Sequence, residues 1–271
     1  MRVTFWGVRG TFPATGTAFS RYGGDTMCVE VACEGARIIL DAGTGLRALG
    51  ERIASDETSP RAHLFLSHGH FDHVAGLTQF APLWRKDAEI DVWTPDFDDG
   101  AAEAAARALL APPFAPPDAT RFPARLTWRR APSLQPVGLA PGVELTVFPV
   151  NHPGGAAGFR ISCAGRVVAY LTDHEHGDAE ADARVRASVR DADLLIYDAT
   201  FTEAEIGARR GWGHSTWQAG TRLRDEAGAK LLAFVHHEPG RTDDAIDALA
   251  VEAAEAAANA AFARQGMSLE L

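Results

Sequence analysis

Three histidines and one aspartate lie close together in the sequence Ser67-His68-Gly69-His70-Phe71-Asp72-His73. An apolar run over residues 62–66 precedes them and predicts a strand. His68 and His70 are two residues apart, so on extended backbone their rings leave the same side and can share one metal ion. Asp72 and His73 follow where the chain can turn into a helix. Imidazole and carboxylate ligands suit zinc first, then manganese or iron, so the stretch predicts a metal site, and one that holds two ions.

Three more candidate ligands stand at the ends of predicted strands. His152, Asp173 and His236 each follow an apolar, strand-like run. In layered α/β proteins the strand ends meet along one edge, where sites are commonly built. The structural alternatives are a turn histidine for His152 and a helix N-cap for Asp173. His237 is an alternative ligand to His236, because adjacent residues at a strand end point in different directions.

Other histidines have simpler interpretations. His63 lies within a strand and is expected to be packed there, and His174 is expected in a solvated loop. Candidates for lining the pocket are His176 and Glu175.

His214 is a candidate for proton transfer. Ser215 and Gln218, three residues later, have the pattern of a capping box, which predicts that His214 stands immediately before a helix. A histidine suits proton transfer because its ordinary pKa is near neutrality. Trp212 and Trp217 could pack in the core or offer a surface on which a base stacks.

The composition predicts a globular protein with one core. The chain has 271 residues, of which 46% are hydrophobic and 23% are charged. We expect one α/β domain over residues 1–271. No apolar run approaches the length of a membrane span, and the N-terminus has the pattern of a short strand rather than of a secretory signal. An odd number of cysteines without metal-type spacing predicts reduced thiols and a cytoplasmic protein; they are Cys28, Cys33 and Cys163.

The acidic charge limits the partners of the protein. A formal net charge of -10 disfavours sequence-independent binding of long nucleic acid, which needs a basic surface. A small anionic substrate is compatible with it, since two divalent cations and nearby arginines can make one pocket positive. A homodimer is one assembly that the sequence allows.

The first half of the sequence predicts short strands and turns. Residues 37–40 read as a strand that ends at Asp41, which could be a loop carboxylate or an N-cap. The glycines of residues 43–45 then turn the chain into a helix with apolar residues at helical spacing. A helix after the metal-binding stretch should carry Leu77 and Phe80 inward.

Residues 95–141 form the least regular segment of the sequence. An alanine-rich helix from Asp99 to Leu110 is followed by many prolines, which exclude a central strand or a long helix. The segment is either a surface excursion or a wall of the active site, with Phe114 and Phe122 facing the substrate.

The second half predicts regular structure again. We expect a hairpin, a helix, a strand and a closing alanine-rich helix, over residues 159–171, 179–190, 194–197 and 243–263.

The metal-binding stretch resembles the signature of the metallo-β-lactamase fold superfamily, Thr/Ser-His-x-His-x-Asp-His after a strand. The resemblance continues through motifs along most of the chain: Phe5-Trp6-Gly7-Val8-Arg9-Gly10, Tyr22-Gly23-Gly24-Asp25-Thr26, Leu40-Asp41-Ala42-Gly43-Thr44-Gly45, Asn151-His152-Pro153-Gly154-Gly155, Tyr170-Leu171-Thr172-Asp173, Gly211-Trp212-Gly213-His214-Ser215-Thr216 and Val235-His236-His237. Their order is similar to the phosphodiesterase branch, which includes ribonuclease Z and the phosphonate-operon cyclic phosphodiesterase. This resemblance implies a four-layered αβ/βα sandwich of two mixed β-sheets flanked by helices.

The resemblance also implies a ligand set. The first metal would be bound by His68, His70 and His152, and the second by Asp72, His73 and His236, with Asp173 bridging both. The strand-end pattern of the superfamily favours His236 over His237. Asp41 would lie beneath the metals and orient their ligands. A bridging carboxylate and hydroxide hold two cations about 3.5–4 Å apart and provide a nucleophile at neutral pH. Catalytic roles are thus implied for Asp72 and Asp173.

His214 favours a phosphodiester as the substrate. In the branch that the chain resembles, the matching histidine contacts the scissile phosphate and can protonate the leaving oxygen. None of the cysteines lies beside a metal motif, which argues against β-lactam hydrolysis. The chain has Asp25 where many relatives have asparagine, and we find no basic, glycine-rich arm like the one that ribonuclease Z uses for tRNA. The missing arm, together with the acidic net charge, argues against tRNA processing.

We therefore expect a binuclear metal-dependent hydrolase that cleaves a small phosphodiester, such as a cyclic nucleotide, through a metal-bridging hydroxide. The enzymatic alternative is a lactone or thioester hydrolase on the same metals. The non-enzymatic alternative is a metal-binding regulatory protein on the same fold.

Overall fold

The structure is a computed structural model that describes residues 1–55, 59–115 and 122–271. Its described strands form two mixed sheets of seven strands each. The first sheet contains β1 (Arg2–Gly7), β2 (Cys28–Cys33), β3 (Ala36–Leu40), β4 (Arg61–Phe65), β5 (Glu89–Pro95), β6 (Arg125–Ala131) and β14 (Ser268–Glu270). The second contains β7 (Pro136–Ala140), β8 (Val143–Val150), β9 (Ala156–Cys163), β10 (Arg166–Leu171), β11 (Leu194–Asp198), β12 (Leu231–Val235) and β13 (Ala260–Phe262).

Helices cover the outer face of each sheet. The described α-helices are α1 (Leu46–Ser55), α2 (Phe71–Val74), α3 (Ala101–Leu109), α4 (Ala179–Ser188), α5 (Glu203–Ile206), α6 (Trp217–Ala227) and α7 (Asp243–Ala256). Apolar residues of α1, α2 and α3 pack on the first sheet, and those of α4, α6 and α7 pack on the second. A third apolar core lies between the two sheets and contains Phe5, Phe65, Phe159 and Tyr170. The predicted four-layered sandwich is therefore confirmed.

The two sheets have matching topologies. The first has the strand order β14-β1-β2-β3-β4-β5-β6 and the second β13-β12-β11-β10-β9-β8-β7. The run from β3 to β6 is parallel, and so is the run from β10 to β13. Because the carboxyl ends of parallel strands meet at one edge, the residues after β3 and β4 face those after β10, β11 and β12 across the sandwich.

The C-terminal region differs from its prediction. The last helix, α7, ends at Ala256 rather than near residue 263, and the chain then forms β13 and β14 at the edges of the two sheets. Alanine-rich sequence does not mark this boundary, because alanine favours a helix without excluding a short edge strand.

The start of α6 also differs from its prediction. The N-cap is Thr216, whose Oγ1 accepts a hydrogen bond from the amide of Ala219, so the predicted capping box of Ser215 and Gln218 is wrong. The Ser215 hydroxyl instead lies 2.7 Å from the Tyr197 hydroxyl. The helix begins one residue later than expected because Ser215 is held in the core.

Residues 95–141 contain two edge strands, β6 and β7, so the exclusion of a central strand is confirmed. Phe114 is 68% exposed, and Phe122 packs against Trp84 on the outside of the first sheet. Neither residue lines the metal cleft, so the alternative in which they face the substrate is wrong, and the surface excursion is the better description. The start of α3 does border His68 and His70. Residues 116–121 of this segment lie outside the described residues.

The prediction of three reduced cysteines is wrong for two of them. Cys33 ends β2, Cys163 ends β9, and a disulfide joins them across the core between the sheets. Cys28 is free and buried. The two partners are 130 residues apart in sequence, so only the packing of the sheets brings them together. Among the described residues, no helix is both long enough and apolar enough to cross a membrane.

Candidate metal centre

The structure brings all seven predicted ligands together at the facing edges of the two sheets. Their ligand atoms form two groups within 4.8 Å, one of His68, His70, His152 and Asp173, and one of Asp72, His73 and His236. A third group, within the same distance limit, contains Asp173, Asp198, His214 and His236. Each group combines imidazole and carboxylate donors, which suits a divalent transition metal.

Asp173 lies between the two groups. Its Oδ1 is 3.9 Å from Nε2 of His68, in the first group. Its Oδ2 is 3.2 Å from Nε2 of His73 and 3.4 Å from Nε2 of His236, in the second. The two oxygens of one buried carboxylate thus face different ligand groups, which is the arrangement that a bridging ligand requires.

Asp41 fixes two histidines from beneath. Its fully buried carboxylate lies 2.8 Å from Nδ1 of His73. It also accepts hydrogen bonds from the Ser67 hydroxyl and from the hydroxyl of Tyr170. Since the Ser67 hydroxyl donates to Asp41, it can accept from Nδ1 of His68, 3.0 Å away. Both rings are then protonated at Nδ1, and Nε2 is left for a metal.

Asp198 acts in the same way from the opposite sheet, and the sequence reasoning missed it. Its Oδ2 lies 3.0 Å from Nδ1 of His214 and accepts a hydrogen bond from the amide of Asp173, also at 3.0 Å. Its Oδ1 accepts from the Thr200 hydroxyl, which lies 2.8 Å from Nδ1 of His236. Burial opposes the charge on Asp198, but His214 and His236 hold its pKa below the ordinary value. Its position at the end of β11 is the signal that could have identified it.

The electrostatics of the centre suit a bound cation. The Nε2 atoms of His68 and His73 are buried and make no hydrogen bond with any described residue, although carboxylate oxygens approach His73. Burial lowers the pKa of His236, but Asp173 and Asp198 outweigh it and raise that pKa to about 9. Buried carboxylates that draw a proton onto an imidazole can equally stabilise a metal ion in place of that proton. The residues present therefore fit divalent metal.

His236, and not His237, faces the metal centre. Nε2 of His237 donates to the carbonyl of Ala263, and its ring packs against Tyr22 and Phe262. Burial in this apolar setting lowers the pKa of His237 to about 3. The ring of His236 lies so close to Gly10 that a Cβ atom there would clash with it.

The first motif of the sequence supports this region. Arg9 is fully buried and donates hydrogen bonds to the carbonyls of Gly23, Glu238 and Arg241. It therefore ties the N-terminal segment to the loop after β12, beside His236.

Other predicted histidine positions need correction. His174 is buried rather than solvated; its ring lies between the amide of Asn151 and the carboxylate of Asp182. His176 and Glu175 do not line the metal cleft. His176 lies 2.7 Å from the Ser215 hydroxyl, and Glu175 accepts hydrogen bonds from the amides of the 211–213 loop. His63 is half-buried in β4 beside Trp93, in keeping with a packed histidine.

An open cleft of about 600 Å³ lies above the metal centre. His70, Asp72, His152, Asp173 and His214 form its floor. Its walls include Phe71, Phe201, Arg209, Trp212 and Glu238. The two tryptophans considered in the sequence have different places: Trp217 is buried against Phe234, whereas Trp212 is exposed at the cleft.

Three residues of the centre have left-handed backbone. Asp41, Asp173 and His236 have φ values of 61°, 55° and 60°. Such values are uncommon for residues other than glycine, and they cluster at functional sites. The sharp turn that they make at the end of each strand aims the side chain into the centre.

Comparison with known proteins agrees with this geometry. Residues 36–237 match the family described as "Beta-lactamase superfamily domain". Among curated proteins, the chain is 26% identical to a Ribonuclease Z of Haloarcula marismortui, over 87% of this chain and 86% of that protein. Among solved structures, it is similar to the metallo-beta-lactamase fold protein YhfI of Bacillus subtilis, with 21% identity, a TM-score of 0.74 and coverage of 100% and 98% of the two chains. A diphosphatase of the PhnP family has 17% identity, a TM-score of 0.73 and coverage of 100% and 97%.

The matched family region contains all seven candidate ligands as well as Asp41, Asp198 and His214. By this match the chain belongs to the beta-lactamase superfamily, in its metallo-β-lactamase fold.

Proposed function

We propose that the protein is a phosphodiesterase that uses two divalent metal ions. Family membership and the relatives named Ribonuclease Z support a metal-dependent phosphoric diester hydrolase. The observation that carries the proposal of two ions is the position of Asp173, whose two oxygens face different ligand groups.

The proposed ligand sets follow from the geometry. One ion would be held by His68, His70, His152 and Asp173, and the other by Asp72, His73, His236 and Asp173. The excess of imidazole favours zinc over harder cations. When bound, such a pair supplies an activated water as nucleophile and stabilises the charge on the phosphoryl oxygens.

The remaining steps belong to side chains of the protein. His214 lies at the cleft with Nδ1 directed to Asp198, so Nε2 is the nitrogen that can donate a proton to the leaving oxygen. The Asp198 carboxylate accepts the hydrogen bond from Nδ1 and so fixes the orientation of the ring. Asp72, which lines the cleft, is held by the amide of Thr11, 2.6 Å from its Oδ2.

A small phosphodiester, such as a cyclic nucleotide, is the first proposed substrate, because a cleft of about 600 Å³ has the volume of a small-molecule site. RNA is the second candidate. The similarity to proteins named Ribonuclease Z counts against our expectation that long nucleic acid is excluded, although the net charge of -10 offers RNA little general attraction. A lactone or thioester hydrolase and a metal-binding regulatory protein remain the other candidates, and a cytoplasmic location stays a prediction.

A substrate panel tests the proposal. The purified protein is stripped with a chelator, reloaded with zinc or manganese, and assayed on cyclic nucleotides, bis(4-nitrophenyl) phosphate, a short RNA and a lactone. We expect phosphodiester cleavage that disappears in the stripped protein and in Asp173→Asn. Turnover of the lactone alone would contradict the proposal, and no turnover on any substrate would favour the regulatory alternative.

A further inference from the structure

Three exposed aromatic rings lie at or beside the metal cleft. Phe12 is 60% exposed, Phe71 49% and Trp212 60%. Phe71 and Trp212 both line the cleft, and Phe12 stacks on Phe71. Large apolar rings that remain exposed beside a polar centre indicate a binding surface.

The first aromatic wall consists of Trp212 and Phe201 and leads to His214. The ring of Trp212 meets that of Phe201 edge-on at 6.3 Å, and Phe201 meets His214 edge-on at 5.9 Å. The guanidinium of Arg209 lies 5.0 Å from the Phe201 ring and 5.8 Å from the Trp212 ring. These cation–π contacts hold the exposed indole in place. A group that departs near His214 therefore leaves along an aromatic surface.

The second aromatic wall consists of Phe71 and Phe12 and adjoins the metal-binding stretch. Phe71 stands between His70 and Asp72 in sequence, and its ring stacks on Phe12 at 5.8 Å with an angle of 18° between the planes. The residue before Phe12 is Thr11, whose amide donates to Asp72. Two stacked, exposed rings are thus fixed to the same carboxylate that the metal centre uses.

Charge plays a small part in the walls. Of the described residues that line the cleft, Arg209 is the only lysine or arginine, and Glu238 brings an additional negative charge. The two charges offset one another, so beyond the metal centre the cleft offers stacking surfaces more than cationic ones.

Resting on the proposed function, we propose that the substrate is a small phosphodiester with an aromatic ring on each side of phosphorus. The ring of the leaving group stacks on Trp212, beside His214, and the ring of the retained ester arm stacks on Phe71. A linear dinucleotide or an aryl ester of a nucleotide has two such rings. A cyclic mononucleotide has one ring and would occupy a single wall, so the two walls favour these linear diesters over the cyclic nucleotide named above as an example.

Two matched substrates separate the walls. Bis(4-nitrophenyl) phosphate carries two rings, and methyl 4-nitrophenyl phosphate has the same leaving group but no second ring. We expect Trp212→Leu to lower kcat/KM on both substrates, by about five- to 150-fold, the range found for loss of one stacking partner. Phe71→Leu should lower kcat/KM by a similar factor on the two-ring substrate and by a much smaller factor on the one-ring substrate. Trp212→Phe should restore most of the loss.

The control is Phe114→Leu, which removes an exposed ring distant from the cleft and should change neither substrate. If Phe71→Leu loses metal, Phe12→Leu replaces it, because Phe12 is further from the ligands.

Binding of diphenylphosphinate and methyl(phenyl)phosphinate, which have no ester bond to cleave, is measured by calorimetry as a readout that needs no turnover. If none of the cleft variants alters the ratio of the affinities for the two-ring and the one-ring phosphinate, the proposal that the aromatic walls bind the substrate is wrong. If the variants alter this ratio but no substrate is turned over, the phosphodiesterase function is wrong and the binding role of the walls is retained.

Discussion

Asp41 and Asp198 make matching sets of hydrogen bonds on opposite sides of the metal centre. Each buried carboxylate orients one histidine directly and a second through a hydroxyl. Asp41 orients His73 directly and His68 through the Ser67 hydroxyl. Asp198 orients His214 directly and His236 through the Thr200 hydroxyl. One carboxylate follows a strand of the first sheet, and the other ends a strand of the second. Two carboxylates thus set the tautomers on which metal binding and proton transfer depend.

Proton donation by His214 predicts that its effect depends on the leaving group. His214→Ala should retain its metals and lose about 10²–10⁴-fold in kcat on a diester whose leaving group is a ribose oxygen, because an alkoxide needs a proton to depart. The loss should be much smaller for a nitrophenolate, which departs unprotonated. Steady-state kinetics of the one variant on both substrates provide the measurement. Equal losses would instead assign His214 to phosphate binding.

Asp198 predicts a second effect on the same step. Asp198→Asn keeps the size of the side chain and removes the negative charge 3.0 Å from Nδ1 of His214, so kcat on the ribose ester should fall while KM changes little. The pH profile of kcat, measured for the variant and the wild type, is the decisive readout. A general acid that loses a neighbouring negative charge gives up its proton at lower pH, so the basic limb should move to lower pH in the variant. A profile identical to that of the wild type would show that Asp198 acts only in folding.

The position of Asp173 predicts that both metals depend on it. Asp173→Asn is more suitable than alanine, since asparagine tolerates the left-handed backbone at this residue. We expect about two ions per wild-type chain and weaker binding of both ions in the variant. Elemental analysis after dialysis against a weak chelator measures the stoichiometry. Retention of both ions at wild-type affinity would exclude a bridging role.

His236 and His237 predict opposite outcomes for adjacent substitutions. His236→Asn should lose metal, because a ligand is removed, while asparagine tolerates the left-handed backbone at this residue. His237→Ala should keep metal and lose about 1–3 kcal/mol of unfolding free energy, because it leaves a buried carbonyl and a cavity beside Tyr22. Metal content and urea unfolding of the two proteins decide between them. Greater metal loss from His237→Ala would reverse the assignment.

The disulfide predicts a thiol count. Under denaturing, non-reducing conditions one thiol per chain should react, that of Cys28, and three should react after reduction. Replacing Cys33 and Cys163 by alanine should lower the unfolding free energy by about 2–4 kcal/mol, because the link restricts a long loop of the unfolded chain. Titration with a thiol reagent is sufficient for the first test. Three reactive thiols without reductant would favour the reduced state that the sequence predicts.

The sequence located the centre because its ligands follow one rule. Four ligands come after apolar strands: His68, His152, Asp173 and His236. In the structure they lie together at the edge where these strands end. Asp198 obeys the same rule but was overlooked, because a lone aspartate after a strand has no neighbouring histidine in sequence to mark it. Its partners are brought to it only by the pairing of β11 with β10 and β12.

Features that depend on contacts between distant segments could not be predicted. The Cys33–Cys163 bond joins strands of different sheets, and the edge strand β14 exists because it pairs with β1 at the other end of the chain. The burial of His174 likewise depends on Asp182, which lies in α4. Local patterns predict strands and helices, whereas the packing between them decides which polar residues are enclosed.

The left-handed turns at Asp41, Asp173 and His236 have a consequence for the evolution of the fold. Glycine or asparagine would relieve the backbone strain at these positions, so a mutation that ends metal binding can also increase stability. Selection for activity must oppose that gain continuously. A descendant freed from catalysis should therefore drift first at these three strand ends, and glycine or asparagine there would mark a copy of the fold that has become a scaffold.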